Sequence, residues 1–292
     1  MRPEFSLRQL YPQDGQALGN LMDDSLDTGR ISTAFHFMIN TYEALRAMQG
    51  DFIGVVAASP IYEGLVGGCL ARFGQCQFEG HLRPYALLNS LVVDPGFRGK
   101  GVGSALVGSL VDTSRNRLGD EGIIWALIQQ GNIGSVRTVG KYPKQFISDR
   151  IVIVPTKTRV NPPTPTPRFM VHSIGQGKYG LVAAQLNFFY RDFSFYEPET
   201  ADNLASWCTS TLFDTPFRHY LIVTDSKGAI YAGAGVLELF RLRTLHIRHM
   251  PSALTLNSLF TAHARAVRQL ESKFIQVEFI LNPSVERSGC IL

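Results

Sequence analysis

The sequence predicts an α/β protein with a mixed sheet, organised as two domains in tandem. Three observations lead to that prediction. An apolar run at 87–93 is followed by a glycine-rich turn and then by apolar residues at helical spacing, the order strand, turn, helix. Five of the fifteen prolines lie within residues 155–167, a composition typical of a semi-rigid extended linker. After that linker, the strand and helix signals of the first half recur in the same order.

The chain opens with signals for a strand and a helix. Residues 5–10 alternate apolar and polar side chains, which predicts a half-buried strand. Asp14 is placed to cap a helix over about 15–22. Residues 23–49 are interpreted as helical pieces with a break near Thr28 and Gly29.

The remainder of the first half completes one sheet-and-helix unit. The pattern predicts a hairpin, a long central strand, the helix after the glycine-rich turn, a buried strand, a short helix capped by Asn132, and a last strand. Their predicted bounds are 51–58 and 65–73, 82–93, 102–118, 122–129, 132–141 and 145–154.

The second half repeats this order in a degraded form. Strands are predicted at 169–174, 221–224, 229–237, 242–247 and 274–281, and helices at 179–190 and 252–273. The sequence PSAL at 251–254 resembles Pro95 joined directly to SAL at 104–106, so residues 96–103 have no counterpart. We therefore predict a first domain at 1–154, a linker at 155–167, and a degenerate, incomplete copy at 168–292.

The glycine-rich turn predicts a site for an anion. Glycines at 99, 101 and 103 let a ligand approach the backbone closely, because no Cβ intervenes. Free N–H groups at the start of the following helix carry a partial positive charge. Together these features are typical of phosphate binding.

Three phosphate motifs compete for this turn. The spacing of a P-loop does not occur here. A dinucleotide-binding turn needs an acidic residue at the end of the next strand, where this chain has Gln129 and Gln130. The third pattern is Val-x-Pro followed by Arg-x-x-Gly-x-Gly, and VDP at 93–95 with RGKGVG at 98–103 matches it throughout. The turn thus resembles the acetyl-CoA signature of the GNAT N-acetyltransferase superfamily.

This resemblance implies direct acetyl transfer from acetyl-CoA, as co-substrate, to a primary amine of a small molecule or peptide. The turn amides would hold the pyrophosphate, while the central strand would pair with the pantetheine amides and donate to the thioester oxygen. Asn132 would lie near the pantetheine arm or act only as a helix cap. The predicted cofactor-binding residues are Leu91, Val92, Val93, Arg98, Gly99, Lys100, Gly101, Val102, Gly103, Ser104 and Asn132.

The catalytic groups are less evident. Family members often protonate the leaving thiolate from a tyrosine, and aligning Asn132 with the family puts Val139 at that position. Tyr142 follows three residues later and is our candidate acid, with a core tyrosine as the alternative reading. The central strand offers no carboxylate as general base.

Composition excludes several classes of partner. The net charge is only +4 and no run of five like charges occurs, so no nucleic acid is expected. No run of 18 apolar residues occurs, so no membrane span is expected. The four cysteines lack metal-ligand spacing, which predicts no metal site and reduced thiols in a cytoplasmic protein. Whether the chain forms a homodimer is left open.

The sequence is consistent with two functions. The first is an acetyl-CoA-dependent N-acetyltransferase. Asp23, Asp24 and Asp27 either attract its cationic amine acceptor or form an acidic, solvent-facing helix end. The alternative is a non-catalytic CoA- or acyl-CoA-binding protein with a partner-binding C-terminal module. A basic stretch at 241–249 is either a solvated strand face or a site for an anionic partner.

Overall fold

A computed structural model describes residues 5–25, 32–128, 132–143, 168–249 and 275–281. The chain divides into two compact units that are not contiguous in sequence. Unit 1 comprises Met1–Cys76, His81–Pro143 and Glu238–Ile275, and unit 2 comprises Gln77–Gly80, Lys144–Leu237 and Gln276–Leu292. The predicted linker at 155–167, strand at 145–154 and helix at 252–273 lie outside the described residues.

The described part of unit 1 contains a five-stranded sheet and four α-helices. The sheet order is β1-β3-β4-β5-β6, with β1 and β3 antiparallel, β3 and β4 antiparallel, and β5 and β6 parallel. The elements in chain order are β1 (Ser6–Gln9), α1 (Gly15–Asp24), β2 (Ser32–Phe37), α2 (Thr41–Gln49), β3 (Phe52–Ala58), β4 (Leu65–Phe78), β5 (His81–Val93), α3 (Val102–Leu118), β6 (Ile123–Ala126) and α4 (Ile133–Val139).

The two faces of this sheet are covered by different helices. Alternation along β3 sends Val55 to a cluster with the apolar face of α3, and the adjacent Val56 to a cluster with Leu18 and Leu45 of α1 and α2. In the α3 cluster, Leu106 and Leu110 are fully buried. This packing holds the first turn of α3 against the end of β5, the part of the fold that carries the glycine-rich turn.

Unit 2 is built on a four-stranded sheet in the order β11-β9-β8-β7. Its core joins Tyr179 and Val182 of one helix to Tyr220, Ile222 and Ile230 of the sheet. The elements are β7 (Met170–Ser173), α5 (Tyr179–Tyr190), α6 (Ala201–Thr209), β8 (Arg218–Thr224), β9 (Ile230–Glu238) and β11 (Ile275–Leu281).

One strand of the second half has a different partner from the predicted one. Residues 242–247 were expected to form the central strand of the second copy, but β10 (Arg243–His249) pairs antiparallel with β2 in a separate two-stranded sheet of unit 1. The compact units therefore divide the chain differently from a boundary at 168, because residues 238–275 group with the first part.

The same pairing corrects the prediction for residues 23–49. We expected helical pieces with a break near Thr28 and Gly29. Among the described residues, α1 reaches Asp24 and 41–49 form α2, but 32–37 form the strand β2. Asn40 starts that helix, since its side-chain oxygen accepts hydrogen bonds from the amides of Tyr42 and Glu43. A strand whose partner lies some 200 residues away leaves a weak local signal, which explains the error.

Asp14 also has a different role from the predicted helix cap. It makes no capping hydrogen bond to α1. Its carboxylate instead accepts two hydrogen bonds from the Arg8 guanidinium, each at 2.7 Å, and one from the Tyr11 amide at 2.9 Å. The Arg8 hydrogen bond is the main reason that the pKa of Asp14 is lowered. Asp14 therefore ties β1 to the start of α1.

Candidate functional site

The central strand of unit 1 extends beyond one of its neighbours. The register of β5 with β6 runs from Tyr85 opposite Ile123 to Leu88 opposite Ala126, whereas β5 continues to Val93. On its other side β4 follows it to the end, since the Asp94 amide donates to the Val66 carbonyl at 3.0 Å. Among the described residues, no strand therefore pairs with 91–93 on the β6 side, and we call this stretch the open edge.

A backbone distortion marks the point where the two strands separate. Ser90 has φ of 52°, in the left-handed region that a non-glycine residue enters at a cost of about 1 kcal/mol or more. It follows Leu88, the last residue paired with β6, by two positions. The kink re-aims the backbone of the open edge, which makes Ser90 part of the site although the sequence pattern did not indicate it.

The turn between β5 and α3 has the conformation that its glycines predict. Gly99 has φ of 77° and Gly101 has φ of 87°, and a Cβ at either position would meet nothing within 4 Å. Asp94 stabilises the entry to the turn, because its Oδ1 accepts a hydrogen bond from the Gly96 amide at 2.8 Å. Both glycines are therefore required for backbone conformation and leave an open space above the turn.

The start of α3 offers amide donors to that space. The first backbone hydrogen bond of α3 runs from the Ala105 amide to the Gly101 carbonyl. The amides of Val102, Gly103 and Ser104 come before it and have no carbonyl partner within the helix. No described side chain caps them. We call residues 99–104 the cradle, a set of backbone N–H groups with the positive end of a helix behind them.

Three cationic side chains surround the cradle. Arg98 donates from Nε to the Val93 carbonyl at 3.2 Å, and Lys100 Nζ lies 4.8 Å from the centroid of the Phe97 ring. Lys141 Nζ donates to Ser104 Oγ at 3.3 Å, a contribution that sequence reasoning missed. All three residues are exposed, so they add positive potential without closing the cradle.

A glycine of β4 lets α3 approach the sheet here. A Cβ on Gly67 would lie 2.8 Å from Val102 Cγ1 and 2.9 Å from Leu106 Cδ1, closer than side chains allow. Gly67 therefore sets the height of the first turn of α3 above β4 and β5. The sequence signal for this contact is the Gly67–Gly68 pair inside an otherwise apolar strand.

The two remaining predicted residues lie on or near α4. Asn132 caps that helix, since its Oδ1 accepts a hydrogen bond from the Ser135 amide at 2.9 Å. The Tyr142 hydroxyl lies against Gly108, 3.0 Å from where a Cβ would stand. Gly108 is seven residues beyond Gly101, about 10 Å along the helix. The structure thus packs Tyr142 against the middle of α3, away from the cradle.

Other chemistry near the site is limited. Burial raises the pKa of the Cys69 thiol to about 12, so this β4 cysteine is not a nucleophile at neutral pH. Gln49 and Asn89 hydrogen-bond reciprocally at 3.3 and 3.0 Å and join α2 to β5. Within the described ranges no group of three or more metal-ligating side chains occurs, and no helix is long and apolar enough to cross a membrane.

Comparison with known proteins identifies this arrangement in part. Residues 21–141 match the family described as Acetyltransferase (GNAT) family. No curated protein matches the chain in sequence. The recognition made from the glycine-rich turn is therefore confirmed for the segment that contains the cradle and the open edge.

Two of the solved structures to which the chain is similar are acyltransferases, and the first of them shows the fold. Saccharomyces cerevisiae N-myristoyltransferase with bound myristoyl-CoA is 11% identical, covering 96% of this chain and 67% of that one at a TM-score of 0.56. Glucosamine-6-phosphate N-acetyltransferase from Arabidopsis thaliana is 16% identical over 50% of this chain and 97% of that one, at a TM-score of 0.36. The mixed α/β fold class is confirmed, and the first likeness is consistent with a tandem GNAT-like arrangement.

Proposed function

Since residues 21–141 form a GNAT acetyltransferase domain, we propose that this protein is an acyl-CoA-dependent N-acyltransferase. The reaction is direct transfer of an acetyl group from acetyl-CoA to the primary amine of a small molecule or peptide. The observation that carries the proposal is the continuity of two features, an open strand edge at 91–93 and an uncapped helix start at 99–104.

The cradle and the open edge suit two parts of a CoA thioester, its pyrophosphate and its pantetheine arm. The pyrophosphate accepts hydrogen bonds from the cradle amides, and the exposed Arg98, Lys100 and Lys141 add positive charge around it. The pantetheine arm carries two amides and pairs with the open edge as a further strand would. This assignment uses every predicted cofactor-binding residue except Asn132, whose side-chain oxygen already caps α4.

Acyl transfer then proceeds at the end of the open edge. A neutral amine attacks the thioester carbonyl, and negative charge develops on the carbonyl oxygen. Backbone amides of 91–93 stabilise that charge, because the kink at Ser90 leaves them outside the β6 ladder. Collapse of the tetrahedral intermediate breaks the C–S bond and releases the CoA thiolate. The attacking nitrogen loses one proton to water to give the amide, and the thiolate takes a proton from water, so the products are the acylated amine and the CoA thiol. The position of Tyr142 supports packing rather than proton donation.

The cellular setting follows from the thiols. Within the described part of the chain, Cys69, Cys76 and Cys208 form no disulfide, which supports the cytoplasmic location that we propose. A protein that binds CoA without catalysis is the second candidate. It is favoured by one observation, the lack of a carboxylate on β5.

The decisive experiment measures thiol release from acetyl-CoA across a panel of primary amines, with mass detection of the acylated product. The proposal predicts release that depends on one class of amine, with a product heavier by one acetyl group. Acetyl-CoA binding without turnover on any amine would favour the non-catalytic alternative. Turnover with a longer acyl-CoA and none with acetyl-CoA would retain the enzyme class and overturn the acetyl assignment.

A further inference from the structure

The two-stranded sheet of unit 1 places an arginine beside two aromatic rings. In its register Arg243 lies opposite Phe37 and Leu245 lies opposite Phe35. Directly opposed residues of an antiparallel pair share a face, so Arg243, Phe35 and Phe37 project to the same side. The Arg243 guanidinium carbon lies 4.0 Å from the centroid of the Phe35 ring. This stacking holds the guanidinium plane in a fixed position.

Among the described residues Arg243 has no counter-ion, unlike the other arginines of this stretch. Arg241 donates to Glu238 Oε2 at 3.2 Å, and Arg248 donates to Asp23 Oδ1 at 2.5 Å. Among the described residues, no oxygen accepts a hydrogen bond from the Arg243 side chain. A guanidinium has five N–H donors, and leaving them without acceptors in a desolvated place is costly.

The surroundings of the Arg243 guanidinium remove much of its hydration. This burial lowers the pKa of Arg243 to about 10, and no carboxylate of the described residues offsets that effect. The residue nevertheless keeps intermediate exposure to solvent, so a small ligand can reach it. Arg243 remains cationic at neutral pH because even the lowered value is far above 7.

The two-stranded sheet that carries Arg243 and the open edge of the acyl-transfer site contact the same hydrophobic cluster. Phe37, directly opposite Arg243, packs against the α1 and α2 cluster that contains Leu18 and Leu45. Val92 of the open edge packs against the same cluster. Arg243 and the open edge are therefore attached to one hydrophobic cluster within one compact unit.

We propose that Arg243 binds the carboxylate of the acceptor, so that the substrate class is an amine that also carries a carboxylate, such as an amino acid. This inference rests on the proposed function. A guanidinium stacked on a ring presents its donor edge, which matches a carboxylate with two parallel hydrogen bonds. A single cation on this face balances one negative charge, whereas a phosphate monoester carries nearly two at neutral pH.

On the opposite face of the sheet, Asp23, one of the three acidic residues considered for attracting a cationic amine, is already engaged. Asp23 accepts from Arg248 through one oxygen, and its other oxygen lies 3.1 Å from His36 Nδ1. The rings of His36 and His246 stack with centroids 5.6 Å apart. Because Asp23 is already paired, it is not available to attract a cationic amine, and Asp27 lies outside the described residues.

The test combines a binding measurement with a kinetic one. The 15Nε resonances of the arginines are followed by NMR while sodium acetate, sodium chloride or inorganic phosphate is added to the full chain. The Arg243 signal is assigned from its loss in Arg243→Lys. We expect acetate to shift that signal saturably, chloride at equal ionic strength not to shift it, and phosphate to bind more weakly than acetate. This readout does not require turnover, so it can fail or succeed independently of the proposed enzyme activity.

The kinetic measurement compares glycine with glycinamide as acceptors, by kcat/KM. Loss of charge-assisted hydrogen bonds predicts that the preference for glycine falls about tenfold or more in Arg243→Met. Arg248→Met, on the same strand but paired with Asp23, is the matched control and should keep the preference. An acetate-insensitive Arg243 signal, tighter binding of phosphate than of acetate, or an unchanged preference in Arg243→Met would each overturn the inference.

Discussion

Replacing Gly101 by aspartate and by asparagine separates charge from backbone strain at the proposed pyrophosphate site. Gly101 has φ of 87° and ψ of −3°, and a side chain there would meet nothing within 4 Å. Aspartate and asparagine are the non-glycine residues that enter the left-handed region most readily, and they have the same shape. We expect both variants to lose about 1 kcal/mol of folding stability, because the strain is the same in each.

The two variants should differ strongly in CoA affinity. A carboxylate about 5 Å from one phosphate charge costs about 3 kcal/mol at an effective dielectric constant of 20. Salt at physiological strength screens roughly half of that energy at an exposed turn. Gly101→Asp should therefore bind acetyl-CoA about 10- to 100-fold more weakly than Gly101→Asn.

Calorimetric titration with acetyl-CoA gives the dissociation constants, and urea unfolding gives the stabilities. Gly80→Asp is the matched control, because Gly80 also has positive φ and open space but lies in the turn between β4 and β5, at the opposite end of β5 from the cradle. It should bind acetyl-CoA as the wild type does. If Gly101→Asp and Gly101→Asn bind equally well, no phosphate lies at the cradle and the assignment is wrong.

Three further predictions concern the surroundings of the site. Tyr142→Phe should lower kcat by less than about 100-fold, since the hydroxyl packs against Gly108; a larger loss with intact CoA binding would make Tyr142 the acid. Asp14→Asn should cost about 1 kcal/mol at pH 7, because the Arg8 partner is partly exposed and screened. Because folding lowers the pKa of Asp14 below its usual value of about 4, the wild type should be more stable in urea than Asp14→Asn above pH 4. This difference should vanish as the pH falls through the folded pKa of Asp14, and a pH-independent difference would exclude ionic pairing. Ser90→Gly should keep wild-type stability within about 1 kcal/mol, whereas Ser90→Val should lose about 2 kcal/mol, because a β-branched residue is strained at φ of 52°. Equal stabilities of the two Ser90 variants would show that the kink does not depend on this conformation.

The parts of the fold that are encoded locally could be predicted from the sequence. The helix after the glycine-rich turn was predicted at 102–118 and is observed at those bounds, because glycines at both ends interrupt an apolar periodic run. The helix at 179–190 is likewise observed as predicted. The positive φ angles of Gly99 and Gly101 agree with the phosphate-binding turn that their spacing indicated.

The parts that depend on distant partners could not be predicted. Strands β2 and β10 form because each pairs with the other, and the local sequence of either strand does not indicate which strand it pairs with. The same applies to Arg243. That none of the described residues supplies its counter-ion appears only when β10 is placed beside Phe35. The role of Gly67 was also hidden, since the close approach of α3 that requires it is a tertiary contact.

Hydrogen–deuterium exchange with and without saturating acetyl-CoA tests the central claim most directly. The account places the pantetheine arm on the open edge and the pyrophosphate on the cradle, so protection is expected in peptides that cover residues 89–106. Peptides of the four-stranded sheet of unit 2, such as those covering β8 and β9, should exchange at the same rate with and without acetyl-CoA. Protection of β8 or β9, or unchanged exchange at 89–106 when acetyl-CoA is bound, would contradict the account.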